Sequence, residues 1–144
     1  LKAKKLNCEL IIPVDVLCGK NIQDTNPVHR KIYEILSDEM ILDIGLKTVN
    51  KITNIIDKSK TIFWNGPAGY FENPNFANGS IQIAKKIIEN NKVNKIFSVA
   101  GGGDTVSLLN NLKAVNSFNF VSTAGGAFLE YLEGKNLPGI TALN

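Results

Sequence analysis

The sequence predicts an α/β fold: a three-layer αβα arrangement with a mostly parallel sheet. Short β-branched segments alternate with segments of helical periodicity about four times along the chain, which is typical of strand–helix–strand units. No Asn-Gly or Asp-Gly turn separates two of the strand segments, so hairpins are not expected. The 144 residues are enough for one domain with its own core.

The first part of the chain is predicted to contain two strands and one helix. The apolar run Cys8–Val16 is interpreted as a buried strand. A loop over Gly19–Pro27 follows, and then Val28–Leu36, for which a short helix and an irregular segment both stay open. Met40–Gly45 is predicted to be the second strand, and the apolar spacing in Thr48–Ile56 favours a helix.

The rest of the chain continues the same alternation. Further strands are predicted over Thr61–Trp64, Lys95–Ala100 and Phe118–Ser122, and helices over residues 76–90, from about Asp104, and from about Gly126 through Glu133. Gly134 follows the last helix, where a glycine commonly ends a helix in the left-handed conformation.

Each of the three later strands ends in a turn of small residues, namely Asn65–Gly69, Gly101–Thr105 and Thr123–Gly126. Glycines let a ligand approach the backbone closely, and a helix that starts there presents N–H groups suited to phosphate. In open parallel sheets such turns meet at the carboxyl edge of the strands. One such turn alone is equally compatible with a plain strand-to-helix connection, but three together predict a site for a phosphate-bearing ligand.

Within the middle turn, Asp104 is a candidate ligand for Mg²⁺, which typically binds one or two carboxylates together with water and phosphate oxygens. Thr105 adds a hydroxyl donor. The chain contains neither a GxxxxGK[ST] nor a GxGxxG pattern, which argues against a P-loop site and against a dinucleotide oxidoreductase.

Composition narrows the class of protein further. The net charge of +3 is too small to indicate a nucleic-acid partner, and no apolar run is long enough to span a membrane. Cys8 and Cys18 lack metal or disulfide spacing and are expected to be reduced thiols of a cytoplasmic protein. His29, the single histidine, is expected to be an exposed loop residue rather than a catalyst. The chain does not begin with Met, so we expect it to start after processing or partway through a longer protein.

Taken with their flanking residues, the three turns resemble the phosphoglycerate kinase family. The matching segments are WNGPAGYFE at Trp64–Glu72, GGGDT at Gly101–Thr105 and VSTAGGAFLE at Val121–Glu130, with weaker matches at Ile12–Asp15 and Leu42–Gly45. The segments occur in family order and at family spacing, and they cover essentially the whole chain.

The resemblance implies a Rossmann-like fold and one partial domain over residues 1–144, the later part of the C-terminal nucleotide-binding domain. The N-terminal domain, which binds 3-phosphoglycerate in the family, is absent from this sequence, as is the GGAKV-type segment that opens the nucleotide domain. Because the missing strands belong to the same sheet in the family, we expect the isolated chain to be marginally stable or to associate.

The resemblance also implies the residues of the site. Asn65, Gly66 and Pro67 match the turn lining the nucleotide cleft, and Glu72 matches the acid that binds the ribose. Gly102, Gly103, Asp104 and Thr105 match the phosphate and metal turn, with Asp104 as the Mg²⁺ ligand. Gly125 and Gly126 match the glycines that stabilise the transferring phosphoryl group. Ala124 replaces a glycine common in the family, and we expect it to fit provided that its φ stays negative.

The function implied is that of a glycolytic and gluconeogenic kinase, using ATP or ADP with Mg²⁺ and transferring phosphoryl between 1,3-bisphosphoglycerate and ADP. Full-length family members are expected to be cytoplasmic monomers, and 3-phosphoglycerate is expected to bind only through the absent domain. The 144 residues alone are therefore expected to be inactive. The alternative is a non-catalytic nucleotide-binding module or decayed remnant.

Overall fold

A computed structural model of the chain describes residues 2–143. By its internal contacts the chain divides into two compact units. The first unit comprises the residues through Ile55 together with Ala68–Ile83, and the second comprises Ile56–Pro67 together with the residues from Ala84 onward. That residues 1–144 form one partial domain stays a prediction.

Strands and helices alternate over most of the described chain. The strands are β1 (Asp15–Gly19), β2 (Val28–Lys31), β3 (Met40–Ile44), β4 (Thr61–Asn65), β5 (Phe97–Gly101) and β6 (Phe120–Val121). The helices are α1 (Lys2–Lys5), α2 (Leu46–Ile56), α3 (Asn78–Lys92), α4 (Gly103–Asn111), α5 (Gly126–Leu132) and α6 (Pro138–Thr141). Single 3₁₀ turns occupy Ile32–Glu34, Pro74–Phe76 and Val115–Ser117. The α/β class is confirmed.

The first unit contains an antiparallel sheet of order β2-β1-β3. The parallel alternation predicted for the whole chain therefore does not extend to these strands. The first strand was also predicted too early. Strand β1 starts at Asp15, whereas Leu10, Ile12 and Val14 are exposed. Pro13 has no N–H to donate to a ladder, so the apolar run around it does not pair.

Strand β2 occupies a segment for which the sequence left a helix and an irregular path open. It pairs with β1 from Val28 to Lys31, and Arg30 on it forms a bidentate ion pair with Glu39 (Nη2–Oε1 2.7 Å, Nε–Oε2 3.0 Å). The strand thus depends on partners distant in sequence rather than on its own pattern, because VHRK has no alternation that would predict a strand.

The second unit contains the parallel sheet, of order β4-β5-β6. One face of this sheet is buried: Trp64 and Ala100 lie in the core, and the Trp64 ring stacks on Phe118 with centroids 6.1 Å apart. The opposite face carries Phe63, Phe97 and Phe120, which are 38%, 51% and 53% exposed. The parallel sheet expected from the sequence is confirmed here.

The later helices agree closely with the predicted periodicity. Helix α3 was expected over residues 76–90 and runs from Asn78 to Lys92, and α5 ends at Leu132. Gly134 adopts φ +79° and donates its N–H to Tyr131 O at 3.0 Å, which confirms the predicted helix end. Strand β6 is shorter than expected, at two residues.

Candidate functional site

The three glycine-containing turns follow neighbouring strands of the parallel sheet. Asn65, the last residue of β4, is the register partner of Gly101, the last residue of β5, and Ala100 pairs with Val121 of β6. Because all three strands run in the same direction, residues 65–67, 101–105 and 122–126 lie at one edge of the sheet. The predicted common edge is confirmed within the second unit.

The middle turn has the most restricted backbone. Gly101 is buried, and a methyl group added to it would lie 3.3 Å from the Phe128 ring. Gly102 has φ +90°, and a methyl group there would lie 2.6 Å from Asn65 Oδ1. A side chain is therefore excluded at Gly102 by both conformation and space. Helix α4 starts at the next residue, Gly103, which has open space around it.

The turn after β4 is held by the middle turn. Gly66 has φ +93°, and its N–H donates to Thr105 Oγ1 at 2.7 Å. Thr105 is fully buried at the start of α4. Thus the first and second turns are hydrogen-bonded to each other before any ligand is considered.

The third turn extends the sheet and then opens into α5. Ser122 donates its N–H to Ala100 O at 2.8 Å, and the Ala124 N–H donates to Ser122 Oγ at 3.3 Å. Gly125 has φ +56°, and a methyl group at Gly125 or Gly126 would meet no atom within 4 Å. Ala124 is not among the described residues with positive φ, as expected if its methyl group is to be tolerated.

The first N–H groups of α4 and α5 are open. Within residues 2–143, the N–H groups of Gly103 and Asp104 have no hydrogen-bond acceptor, and those of Gly126 and Ala127 have none either. Together with the helix dipole, such groups favour a bound anion. The edge of the sheet thus presents two unfilled helix starts side by side on neighbouring strands.

Asp104 is the carboxylate at this edge. Asp104 is exposed in the first turn of α4, and in the described part of the chain its carboxylate forms no hydrogen bond or ion pair. No group of three or more His, Cys, Asp or Glu residues able to hold a metal ion occurs among the residues described. A single carboxylate beside N–H groups that have no acceptor fits Mg²⁺, which usually completes its coordination with water and phosphate oxygens.

Glu72 belongs to the first unit. It is exposed and lines a cavity of about 320 Å³ with Ile22, Gln23, Thr25, Tyr70, Asn73 and Pro74. Asn73 shapes this cavity, since its Nδ2 donates to Ile22 O and to Asp24 O, both at 2.9 Å. Asn65, Gly66, Pro67 and the residues of the other two turns belong to the second unit.

Two buried carboxylates lie outside the predicted site, in the first unit. Asp15 accepts the N–H groups of Lys47 (3.0 Å) and Thr48 (2.8 Å), the Thr48 hydroxyl (2.7 Å) and His29 Nε2 (2.8 Å). Burial raises the pKa of Asp15, but hydrogen bonds from Thr48, His29 and Lys47 more than offset this and hold it well below its usual range. His29 is exposed, as expected, but it lies on strand β2 rather than in a loop, and it contacts Asp15.

Asp43 is the second buried carboxylate. It accepts the N–H groups of Gly79 and Ile44, both at 2.8 Å. Burial raises the pKa of Asp43, and the two N–H groups offset only part of the effect. Asp15 and Asp43 thus accept N–H groups from the first turns of α2 and α3.

Sequence reasoning missed the residues that support the turns from behind. Phe63 of β4 and Phe128 of α5 contact each other edge to face with centroids 5.2 Å apart, and both rings border Gly101. The alternation of β4 places Phe63 and Asn65 on one face of the strand, but nothing local indicates that Phe128 reaches it. Cys8 and Cys18 are both free thiols, as expected.

None of the helices in residues 2–143 is long and apolar enough to cross a membrane.

Comparison with known proteins identifies the family. Residues 1–135 match the family model described as phosphoglycerate kinase. The phosphoglycerate kinase of Bartonella tribocorum is 47% identical over 144 residues, which are 99% of this chain and 36% of that protein. The enzyme of Zymomonas mobilis is 44% identical over 142 residues, again 36% of its length. The chain therefore spans about a third of the length of these relatives.

Solved structures give the same result. The phosphoglycerate kinase of Coxiella burnetii superposes with a TM-score of 0.88 at 37% identity, covering 99% of this chain and 36% of the other. That of Pyrococcus horikoshii gives 0.75 at 32% identity, covering 91% and 31%. With glycine turns on three neighbouring parallel strands, a family match over residues 1–135 and these neighbours, the chain belongs to the phosphoglycerate kinase family.

Proposed function

We propose that this chain is the later part of the nucleotide-binding domain of a phosphoglycerate kinase. The reaction is phosphoryl transfer between 1,3-bisphosphoglycerate with ADP and 3-phosphoglycerate with ATP. The observation that carries the proposal is the common edge of three glycine turns with one exposed, unpartnered carboxylate, Asp104. Family membership supports it independently.

In this proposal the backbone at the start of α4 binds nucleotide phosphate oxygens. The Gly103 and Asp104 N–H groups are unfilled, and Gly102 lets a phosphate approach because it has no side chain. Asn65 and Pro67 line the same edge beside them. Asp104 holds Mg²⁺, whose chemistry here is to neutralise charge on the phosphate oxygens.

The start of α5 binds the phosphoryl group that is transferred. Gly125 and Gly126 have no neighbouring side chain to obstruct a ligand, and their N–H groups donate to the transferring phosphoryl group. Donors fixed before the reaction stabilise the charge that develops in the transition state without reorganising. Glu72 accepts a ribose hydroxyl in this proposal, a role that rests on the resemblance of Trp64–Glu72 to the family motif.

Two further statements belong to the same proposal. Because the resemblance implies that a separate domain binds 3-phosphoglycerate, we expect these 144 residues alone to turn over no substrate. A cytoplasmic location and a monomeric complete protein go with the glycolytic role.

The test uses the complete natural protein and the variant Asp104→Ala. We expect turnover or Mg-ADP affinity to fall at least about tenfold, because the single carboxylate at the phosphate turn is lost, while the melting temperature stays unchanged. A coupled assay and titration with Mg-ADP measure this at several Mg²⁺ concentrations.

The control is Asp38→Ala, which removes an exposed carboxylate paired with Lys20 in the first unit. It should leave both quantities unaltered. Normal kinetics and a normal Mg²⁺ dependence in Asp104→Ala would mean that Asp104 is only a turn residue.

A further inference from the structure

Thr105 differs from its neighbours in the phosphate turn. Gly103 and Asp104 are exposed, whereas Thr105 is 0% exposed. The sequence predicts Thr105 as a hydroxyl donor to a bound phosphate. In the structure, the hydroxyl oxygen accepts the N–H of Gly66 at 2.7 Å, a residue 39 positions earlier, directly after the end of another strand.

A second contact connects the same two turns in the reverse direction. The Asn65 side chain lies over Gly102, where an added methyl group would be 2.6 Å from Asn65 Oδ1. The Asn65 side chain therefore lies close to the backbone of Gly102. In the other direction, the Thr105 hydroxyl binds the backbone of Gly66. Gly66 and Gly102 both have positive φ, +93° and +90°.

Glycine at positive φ is conformationally free in the unbound chain, so each turn needs an external contact to stay in one conformation. For Gly66 such a contact is its hydrogen bond to Thr105 Oγ1, and the side of Gly66 where a methyl group would stand is open to a distance of 4 Å. If the turn were mobile, a ligand would have to order it on binding, and the affinity would fall accordingly.

We infer that Thr105 is a positioning residue that acts through Gly66, holding the Asn65–Pro67 turn in place beside α4 before nucleotide binds. The inference rests on the proposed nucleotide site for its consequence, but the interaction between Thr105 and Gly66 is a property of the ligand-free protein. It assigns the hydroxyl oxygen to the connection between the two turns.

The experiment compares the wild type, Thr105→Val and Thr105→Ser in the complete natural protein. Valine keeps the shape and removes the hydroxyl, and serine keeps the hydroxyl. Without ligand, we expect the Gly66 amide hydrogen in Thr105→Val to exchange about tenfold faster than in the wild type, since one buried hydrogen bond is lost. Mg-ADP affinity should fall about three- to tenfold, and Thr105→Ser should restore both values.

The matched control is Thr53→Val, which removes a hydroxyl bonded to Asn50 O within α2 and should change neither measurement. A fall in Mg-ADP affinity with unchanged Gly66 exchange would make Thr105 a direct ligand and overturn the inference. No change in either quantity would overturn it as well. Faster exchange of the Gly66 amide without any loss of Mg-ADP affinity would show that Thr105 holds the turn but does not contribute to nucleotide binding.

Two outcomes separate this inference from the proposed function. Failure of the wild type to bind Mg-ADP refutes the nucleotide site itself, whereas normal wild-type binding with an unaffected Thr105→Val refutes only the role of Thr105. If Thr105→Val does not fold, the wild type and Thr105→Ser still decide: a Gly66 amide that exchanges freely in the ligand-free wild type contradicts the inference.

Discussion

The helices of the two units begin in different ways. In the first unit, buried carboxylates accept N–H groups of the first turn: Asp15 for α2 and Asp43 for α3. In the second unit, α4 and α5 begin at glycines, and within residues 2–143 their first N–H groups have no acceptor. The protein's own carboxylates thus bind the first pair of helix starts, and the second pair has no such partner among the described residues.

The two kinds of helix start should contribute to different properties, one to the stability of the fold and the other to ligand affinity. A carboxylate that is part of the chain stabilises its helix permanently and leaves no room for a ligand. A helix start with glycines loses that stabilisation in the free protein and regains it when a phosphate binds. Substitutions in the first unit should therefore change the free energy of unfolding, and substitutions in the second should change affinity.

The largest expected effect is that of Asp15→Ala. The change leaves the N–H groups of Lys47 and Thr48 without their buried acceptor and removes the partner of His29. We expect the free energy of unfolding to fall by about 3 kcal/mol or more, since several charge-assisted hydrogen bonds are lost together. Urea unfolding of the complete natural protein measures it.

Asp38→Ala serves as the control for that measurement, because Asp38 is exposed and should change stability by less than about 0.5 kcal/mol. A similarly small effect in Asp15→Ala would mean that the buried carboxylate does not stabilise α2. The proposed difference between the helix starts of the two units would then be wrong for the first unit.

An intermediate effect is expected from a pair of glycine substitutions. In Gly79→Ala the new methyl group would lie 2.4 Å from Asp43 Oδ1, and we expect a loss of about 1–3 kcal/mol of stability. In Gly103→Ala the methyl group meets no atom within 4 Å, so stability should stay level or rise slightly. Thermal unfolding and Mg-ADP titration distinguish the two.

The affinity of Gly103→Ala for Mg-ADP should nevertheless fall, because in the proposed site the methyl group lies where a phosphate approaches the backbone. Equal stability losses in Gly79→Ala and Gly103→Ala would contradict the division between a filled and an open helix start.

The smallest effect is a pH dependence confined to acid. Hydrogen bonds from Arg30 and from the Leu36 N–H lower the pKa of Glu39 from its ordinary 4.5 to about 2. Because the pKa is lower in the folded state, this stabilisation is complete above about pH 5 and is lost as the pH falls toward 2. The carboxyl group of Asp15 shifts in the same direction.

Asp43 has the opposite effect on the pH dependence of stability. Its pKa is raised in the folded state, so its protonation at low pH favours the folded state. Urea unfolding between pH 7 and pH 3 should therefore show a net loss of stability that is reduced in Glu39→Gln. A stability that rises steadily over this interval would be incompatible with these assignments.

The sequence predicted elements whose pattern is local. Helix α3 follows from Ile83, Ala84 and Ile87 on one face, and the end of α5 follows from Gly134. The common edge of the three turns could be predicted because the turns follow three consecutive strand segments, and parallel strands bring such turns together.

What was missed depends on pairing over long sequence separations. Strand β2 exists because β1 lies beside it, and the Asp15–Thr48 contact joins residues 33 apart. The contact between Thr105 and Gly66 was missed for the same reason. The Thr105 hydroxyl in a GGGDT turn indicates a ligand contact, and only the packing of β4 beside β5 reveals Gly66 as its partner.

Trp64 is the one tryptophan in the sequence, and it is buried against Phe118 at the end of β4, directly before Asn65. Indole emission responds to changes in the packing of its surroundings. The emission of Trp64 should therefore follow the state of the first turn without an added dye. A shift of its emission on adding Mg-ADP would give a stopped-flow signal from the backbone that Thr105 holds.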